Sequence, residues 1–303
     1  MVRPSLIGLL VIVAVTAFVG LQSLSENKQD WSVTSDGLLD YSPSVPEYQL
    51  TRIETSNDST LNDIRFTSRD MQIAGLLRMP QIKQEDKEKQ NNDIPGIVLL
   101  PGATVTKERE QGMAKYLCGL GFAIITLDQR NLGSADMQGD LQMFRKGIEP
   151  TEHKMVHDAL AAAEVLRSRT DIDPNRILYA GESNGGRSAI IACALDPKAR
   201  GVIAISTSGY GIDAAIASGM LTDQNTIRFY KSIDPETYFS KIPPRKLVMF
   251  HSINDPVIPY EDANRTYNKA LQPKDFYTVE CHMHGHCTDM DVSLEKELTA
   301  MVK

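Results

Sequence analysis

Two short stretches concentrate the side chains suited to covalent chemistry. The first is Gly181-Glu182-Ser183-Asn184-Gly185-Gly186, which follows the apolar run "RILYAG" and leads into "GGRSAIIACAL", a run with helical spacing. A G-x-S-x-G pattern between a strand and a helix is a nucleophile elbow: the turn is sharp, the serine backbone is strained, and small neighbours keep the flanking chain clear. The second stretch, "CHMHGHC" from Cys281 to Cys287, holds three of the six histidines and two of the four cysteines. By spacing alone it fits a metal site, a disulfide loop, or the loop that carries a catalytic histidine.

Ser183 helps to separate these readings. A serine hydroxyl becomes nucleophilic when a base takes its proton and a carboxylate orients that base. After Ser183 the chain offers Asp255, in "HSINDPVIP" just past the apolar run "KLVMF", and then His284. Gly285 permits the bend that would aim the His284 imidazole back at the serine; His286 is the alternative base, and His282 precedes the turn. A four-ligand zinc site draws on thiolates and imidazoles, but Cys-x5-Cys with alternating histidines is not a standard zinc spacing, and ligands two apart on a strand point the same way. The metal reading is the weaker one. Cys281 and Cys287 can then close a disulfide across the base loop, the alternative being two buried thiols. Cys118 and Cys193 lie in apolar helical runs and read as packing residues. For the oxyanion, the backbone N–H groups of Asn184, after the nucleophile, and of Ala103, in "VLLPGATVT", are the candidate donors, with Thr104 second to Ala103.

The elements that must position these groups are legible as a series. "GIVLLPG", "FAIITLD", "RILYAG", "GVIAIS" and "KLVMFHS" are apolar without alternation, as strands buried on both faces are. Between them lie helical runs such as "HKMVHDALAAAEVLRSR". That order predicts an α/β fold with a mostly parallel, doubly wound sheet and helices on both faces. Ligands in such sheets bind at the carboxyl ends of the strands. "YQLTRIET" and "MQIAGLLRMP" read as earlier strands, and the polar run "KQEDKEKQNND" as an exposed tip or insertion. The long segment around residues 209–242 reads as a small helical cap.

Ahead of the domain, no charge occurs from Ser5 to Ser25, and "LIGLLVIVAVTAFVGL" is almost wholly apolar. About 20 helical residues span roughly 30 Å of hydrocarbon. Arg3 precedes the run and Glu26 follows it, so a transmembrane helix here leaves the N-terminus in the cytoplasm and the remainder outside. A cleaved signal peptide is the alternative, with small residues near Ala17, and both readings export the domain. The expected organisation is residues 1–25 as anchor or signal, 26–46 as a polar linker, and 47–303 as the catalytic domain. The net charge of −7 comes without a Lys/Arg run, which argues against nucleic acid as a partner.

Together these motifs resemble the alpha/beta-hydrolase superfamily, and within it the dienelactone hydrolase and prolyl oligopeptidase-type group, over roughly residues 48–303. The resemblance rests on "LLPGAT" as oxyanion loop, "LDQRNLGSAD", the elbow "GESNGGRSA", the acid loop "HSINDPVIPYEDA" and "MHGH". The sequence departs at Pro101, Asn131 and Ser252, where the family pattern has His, Gly and Gly, and it carries Ser183 where dienelactone hydrolases proper use cysteine. No propeller precedes the hydrolase region as it does in full prolyl oligopeptidases. The resemblance implies a serine hydrolase acting on small carboxylic esters through a Ser-His-Asp triad and an acyl-enzyme, with no metal or organic cofactor. A serine peptidase cleaving short peptides is the first alternative, and a non-catalytic binding protein on the same fold is the second.

Overall fold

The computed structural model describes residues 30–42, 44–81 and 94–303. The apolar segment 5–25, the first residues of the expected linker and the polar run 83–93 lie outside the described residues. Among the described residues, no helix is long and apolar enough to cross a membrane.

From Trp31 the chain forms a two-stranded antiparallel ribbon, β1 (Trp31–Val33) and β2 (Leu39–Tyr41). Three antiparallel strands follow, β3 (Tyr48–Thr55), β4 (Ser59–Ser68) and β5 (Met71–Pro80). Then come β6 (Ile94–Leu100), β7 (Ala123–Leu127), β8 (Ile172–Glu182), β9 (Gly201–Ile205), β10 (Lys246–Ser252) and β11 (Lys274–Val279), which pair in parallel with one another. All but the ribbon form one sheet in the order β11-β10-β9-β8-β6-β7-β5-β4-β3. Every residue of β7 and β9 is buried, as strands covered on both faces require.

Successive residues of β6 serve opposite faces of the sheet. Val98 and Leu100 join the core formed with α3 (Thr151–Arg167) and α4 (Asn184–Leu195), while Ile97 and Leu99 join the core formed with α1 (Gln111–Gly119) and α8 (Asp291–Val302). Period-two alternation thus divides a wholly apolar strand between two cores. The chain leaves β6 for β7 on one side, then returns to β8 on the other. Such a reversal opens a crevice at the carboxyl ends of β6 and β8, from which the "LLPGAT" and "GESNGG" loops emerge. The segment between β9 and β10 is helical, as α5 (Ile212–Ala217), α6 (Gln224–Ile233) and a 3-10 turn at Pro235–Lys241; α2 (Met137–Arg145) precedes α3 and α7 (Tyr260–Lys269) follows β10.

The linker reading fails from Trp31 onward. Trp31, Val33 and Leu39 are buried in the core that contains α3. The Trp31 ring stands 5.6 Å from that of His153 in a T-shaped contact, and the Leu39 N–H donates to the Tyr238 hydroxyl at 2.9 Å. Burying three large apolar side chains outweighs the polar composition around them, and the compact unit runs from Trp31 to Lys303 rather than from residue 47.

Candidate active site

Ser183 stands alone between the end of β8 and the start of α4, at φ 52 and ψ −118. A side chain in that region costs about 1–3 kcal/mol and persists only where the surroundings hold it. Here the Ser183 N–H donates to the Ile205 carbonyl at 2.9 Å, and its carbonyl accepts from Thr207 Oγ1 at 3.1 Å, so the end of β9 and the residues just past it hold the turn. Gly185 explains the second glycine of the motif: a Cβ there would run into the carbonyl oxygens of Leu100 and Pro101, backbone atoms that cannot swing away. The helix start can therefore press against the end of β6.

The position of the candidate oxyanion loop follows from that contact. A Cβ on Gly102 would lie 3.5 Å from the Ser183 Cβ, so the "PGAT" loop passes directly beside Ser183. The Thr104 N–H is used, donating to the Leu132 carbonyl at 2.6 Å, which favours Ala103 over Thr104 as a donor to a bound oxyanion. Asn184 opens α4, where backbone N–H groups have no partner within the helix, and its side-chain amide donates to the Gly133 carbonyl at 3.2 Å.

Asp255 and His284 meet. His284 Nδ1 lies 2.9 Å from each carboxylate oxygen of Asp255, whose side chain is fully buried, whereas 23% of the His284 side chain is exposed. The Val257 and Ile258 N–H groups donate to Asp255 Oδ1 at 2.8 and 3.0 Å. Burial works against the charged carboxylate, but these donors, with His284 and the Ser206 hydroxyl, outweigh it and hold the group below the usual carboxylate range. His251, buried on β10, donates from Nε2 to the Ile258 carbonyl at 3.0 Å and steadies the same turn.

The loop that carries His284 is fixed at several points. Cys281 and Cys287 are joined by a disulfide that closes the loop around His284. A ring this small restricts the unfolded chain by about 2 kcal/mol on the chain-entropy view. The Ser252 hydroxyl donates to the Cys281 carbonyl, tying the loop to the end of β10. Gly285, at φ 95, donates its N–H to Ser206 Oγ at 3.0 Å. His286 faces elsewhere: its Nε2 is 2.7 Å from Asp291 Oδ1 and its ring stacks on Tyr116. Of the two candidate bases, only His284 contacts the candidate acid.

Ser183 is brought to the same rim through its neighbours. A Cβ on Gly285, the residue after His284, would lie 2.7 Å from Glu182 Oε2, on the residue before Ser183. Ser206, just past the strand that lies between those leading to Ser183 and Asp255, bonds to both Gly285 and Asp255. Ser206 and Glu182 belong to the site's frame, yet neither was singled out from the sequence. The only signal for Ser206 is its place at the end of "GVIAIS", between the two strands that matter. Among the described residues, no three His, Cys, Asp or Glu side chains converge to hold a metal.

Comparison with known proteins points the same way as the geometry. The acetyl xylan esterase (AXE1) family profile matches residues 22–251. Uncharacterized protein YfhR of Escherichia coli O157:H7 is 26% identical over 186 residues, so the match spans 61% of this chain and 61% of that protein. The solved acetyl xylan esterase from Paenibacillus sp. R4 superimposes with a TM-score of 0.70 at 15% identity, covering 85% of this chain and 89% of the other. Pyrococcus horikoshii acylaminoacyl peptidase does so with a TM-score of 0.56 at 18% identity, over 81% of this chain and 41% of its own. Both structures share the fold.

Proposed function

The chain belongs to the acetyl xylan esterase family of α/β-hydrolases, and on that premise we propose that it hydrolyses carboxylic esters through Ser183, His284 and Asp255. Ser183 Oγ attacks the acyl carbonyl while His284 Nε2 takes its proton. The N–H groups of Ala103 and Asn184 receive the oxyanion of the tetrahedral intermediate. Collapse breaks the bond to the alcohol, which leaves with the proton from His284, and the acyl group stays on Ser183. Water then attacks the acyl-enzyme, His284 takes its proton, and the acid departs as that proton returns to Ser183. Asp255 holds the imidazole with Nδ1 protonated, so that Nε2 is free to accept.

The observation that carries this reading is the pairing of His284 with a buried Asp255 at 2.9 Å, on the rim where the chain forces Ser183 to φ 52. Small acetylated carbohydrates are the first substrates to try, given the family. A panel of acyl p-nitrophenyl esters and sugar acetates against aminoacyl and prolyl amides tests it. Higher kcat/KM on esters is the expected result. Preference for the amides would transfer the triad to a serine peptidase, and no turnover of either would favour a binding protein.

The proposal includes export. Its support is the uncharged, apolar run from Ser5 to Ser25 behind Arg3, which suits an anchor that leaves the catalytic unit outside. Activity is expected to stay with the membrane fraction after an alkaline wash; full-length chain recovered in the soluble fraction would count against the anchor.

A further inference from the structure

Immediately before the nucleophile lies a half-buried carboxyl group that the reaction does not use. Glu182 Oε1 accepts the His286 N–H at 2.9 Å, and Oε2 is the atom that a Cβ on Gly285 would strike at 2.7 Å. The residue that precedes the nucleophile therefore touches both residues that follow the base. Behind it is a buried carboxyl, Glu110, at the start of α1, whose Oε1 has no hydrogen-bond partner. We propose that Glu182 is a positioning residue for His284: its carboxylate clamps the Gly285–His286 backbone, sets the reach of the imidazole toward Ser183, and supplies a negative charge that favours the imidazolium formed during the reaction. The inference rests on the reading of Ser183 and His284 given above.

Three titratable groups face Glu182: Glu110 from the start of α1, and His284 and His286 from the base loop. Burial raises both carboxyls, and the charge of Glu182 adds to the rise at Glu110, which reaches about 8. Of the two, Glu182 has an N–H donor and Glu110 has none, so the negative charge that the pair can hold is favoured on Glu182. A geometric clamp and a through-space charge are both consequences of this one carboxylate, and they can be separated by substitution.

In Glu182→Ala both are lost, and kcat is expected to fall about 10²-fold, the scale of a misplaced catalytic group, with KM little changed. Glu182→Gln keeps an acceptor for the His286 N–H but removes the charge. Its kcat should recover most of that loss, while the acid limb of the kcat/KM–pH profile, set by the base, moves down by about half a pH unit to one unit. Active-site titration with a fluorophosphonate corrects each value for misfolded protein. Should Glu182→Ala fail to fold, the Glu182→Gln profile decides alone. An unmoved acid limb in Glu182→Gln, or wild-type kcat in Glu182→Ala, overturns the proposal while leaving the triad intact. Ser183→Ala measured alongside tests the premise: turnover that survived it would overturn the triad and this inference together.

Discussion

Ser183→Ala is expected to lower kcat/KM for any ester substrate by about four to six orders of magnitude, leaving the residual rate that oxyanion stabilisation and binding supply by themselves. The same variant should no longer be labelled covalently by a fluorophosphonate. The fold should be unaffected, for a reason local to the elbow. The Ser183 hydroxyl caps no helix N–H, and the bonds that hold the turn run from its backbone, to Ile205 and Thr207. Alanine has the same Cβ at the same φ of 52, so the backbone strain is neither relieved nor increased. Unchanged thermal stability with lost turnover and lost labelling is therefore the signature of a nucleophile. Labelling that persists at wild-type level would place the reactive hydroxyl elsewhere and dismantle the assignment.

How much of this was legible in the sequence depends on whether a feature is local. The parallel strands announced themselves because burial on both faces demands unbroken apolar runs, and the elbow because only small residues fit where Gly185 meets the end of β6. The ribbon at Trp31–Tyr41 reads as linker because strands of three residues carry no period; what buries Trp31 and Leu39 is a surface supplied by α3 and by the segment around Tyr238, far along the chain. Strand β4 does not stand out in the sequence for a related reason, since Asn62, Asp63 and Arg65 dilute its apolar positions. His284 and His286 were not separable by spacing. The difference between them is made by Asp255, Asp291 and Tyr116, three partners that no local pattern predicts. Glu182 and Ser206 stayed hidden because their roles are contacts between strand ends.

Asp255→Asn should lower kcat by about 10⁴-fold while the protein remains folded, the effect of forcing a triad histidine into the wrong tautomer. The direction of the new amide is fixed by the acid loop. Val257 and Ile258 both donate to Oδ1, so the asparagine keeps its carbonyl oxygen there, and its NH₂ takes the place of Oδ2 opposite His284 Nδ1. Turning the amide over would set that NH₂ against two backbone donors, a worse arrangement by the cost of two unmade hydrogen bonds. Nδ1 is 2.9 Å from both positions, but the oxygen at Oδ1 already accepts two N–H groups, so the NH₂ decides: Nδ1 accepts from it, and the ring proton moves to Nε2, where it blocks removal of the Ser183 proton. A stability difference accompanies the kinetic one and has a definite sign. The folded carboxyl of Asp255 is held below its unfolded value, so its charge stabilises the protein above the ordinary carboxylate range and ceases to do so as the pH falls through the lowered value. Thermal melts should therefore show wild type ahead of Asp255→Asn at about pH 7 and the gap closing below about pH 4. A variant that kept near-normal kcat would mean that His284 does not depend on Asp255 for its tautomer, and the pairing at 2.9 Å would then be a structural contact only.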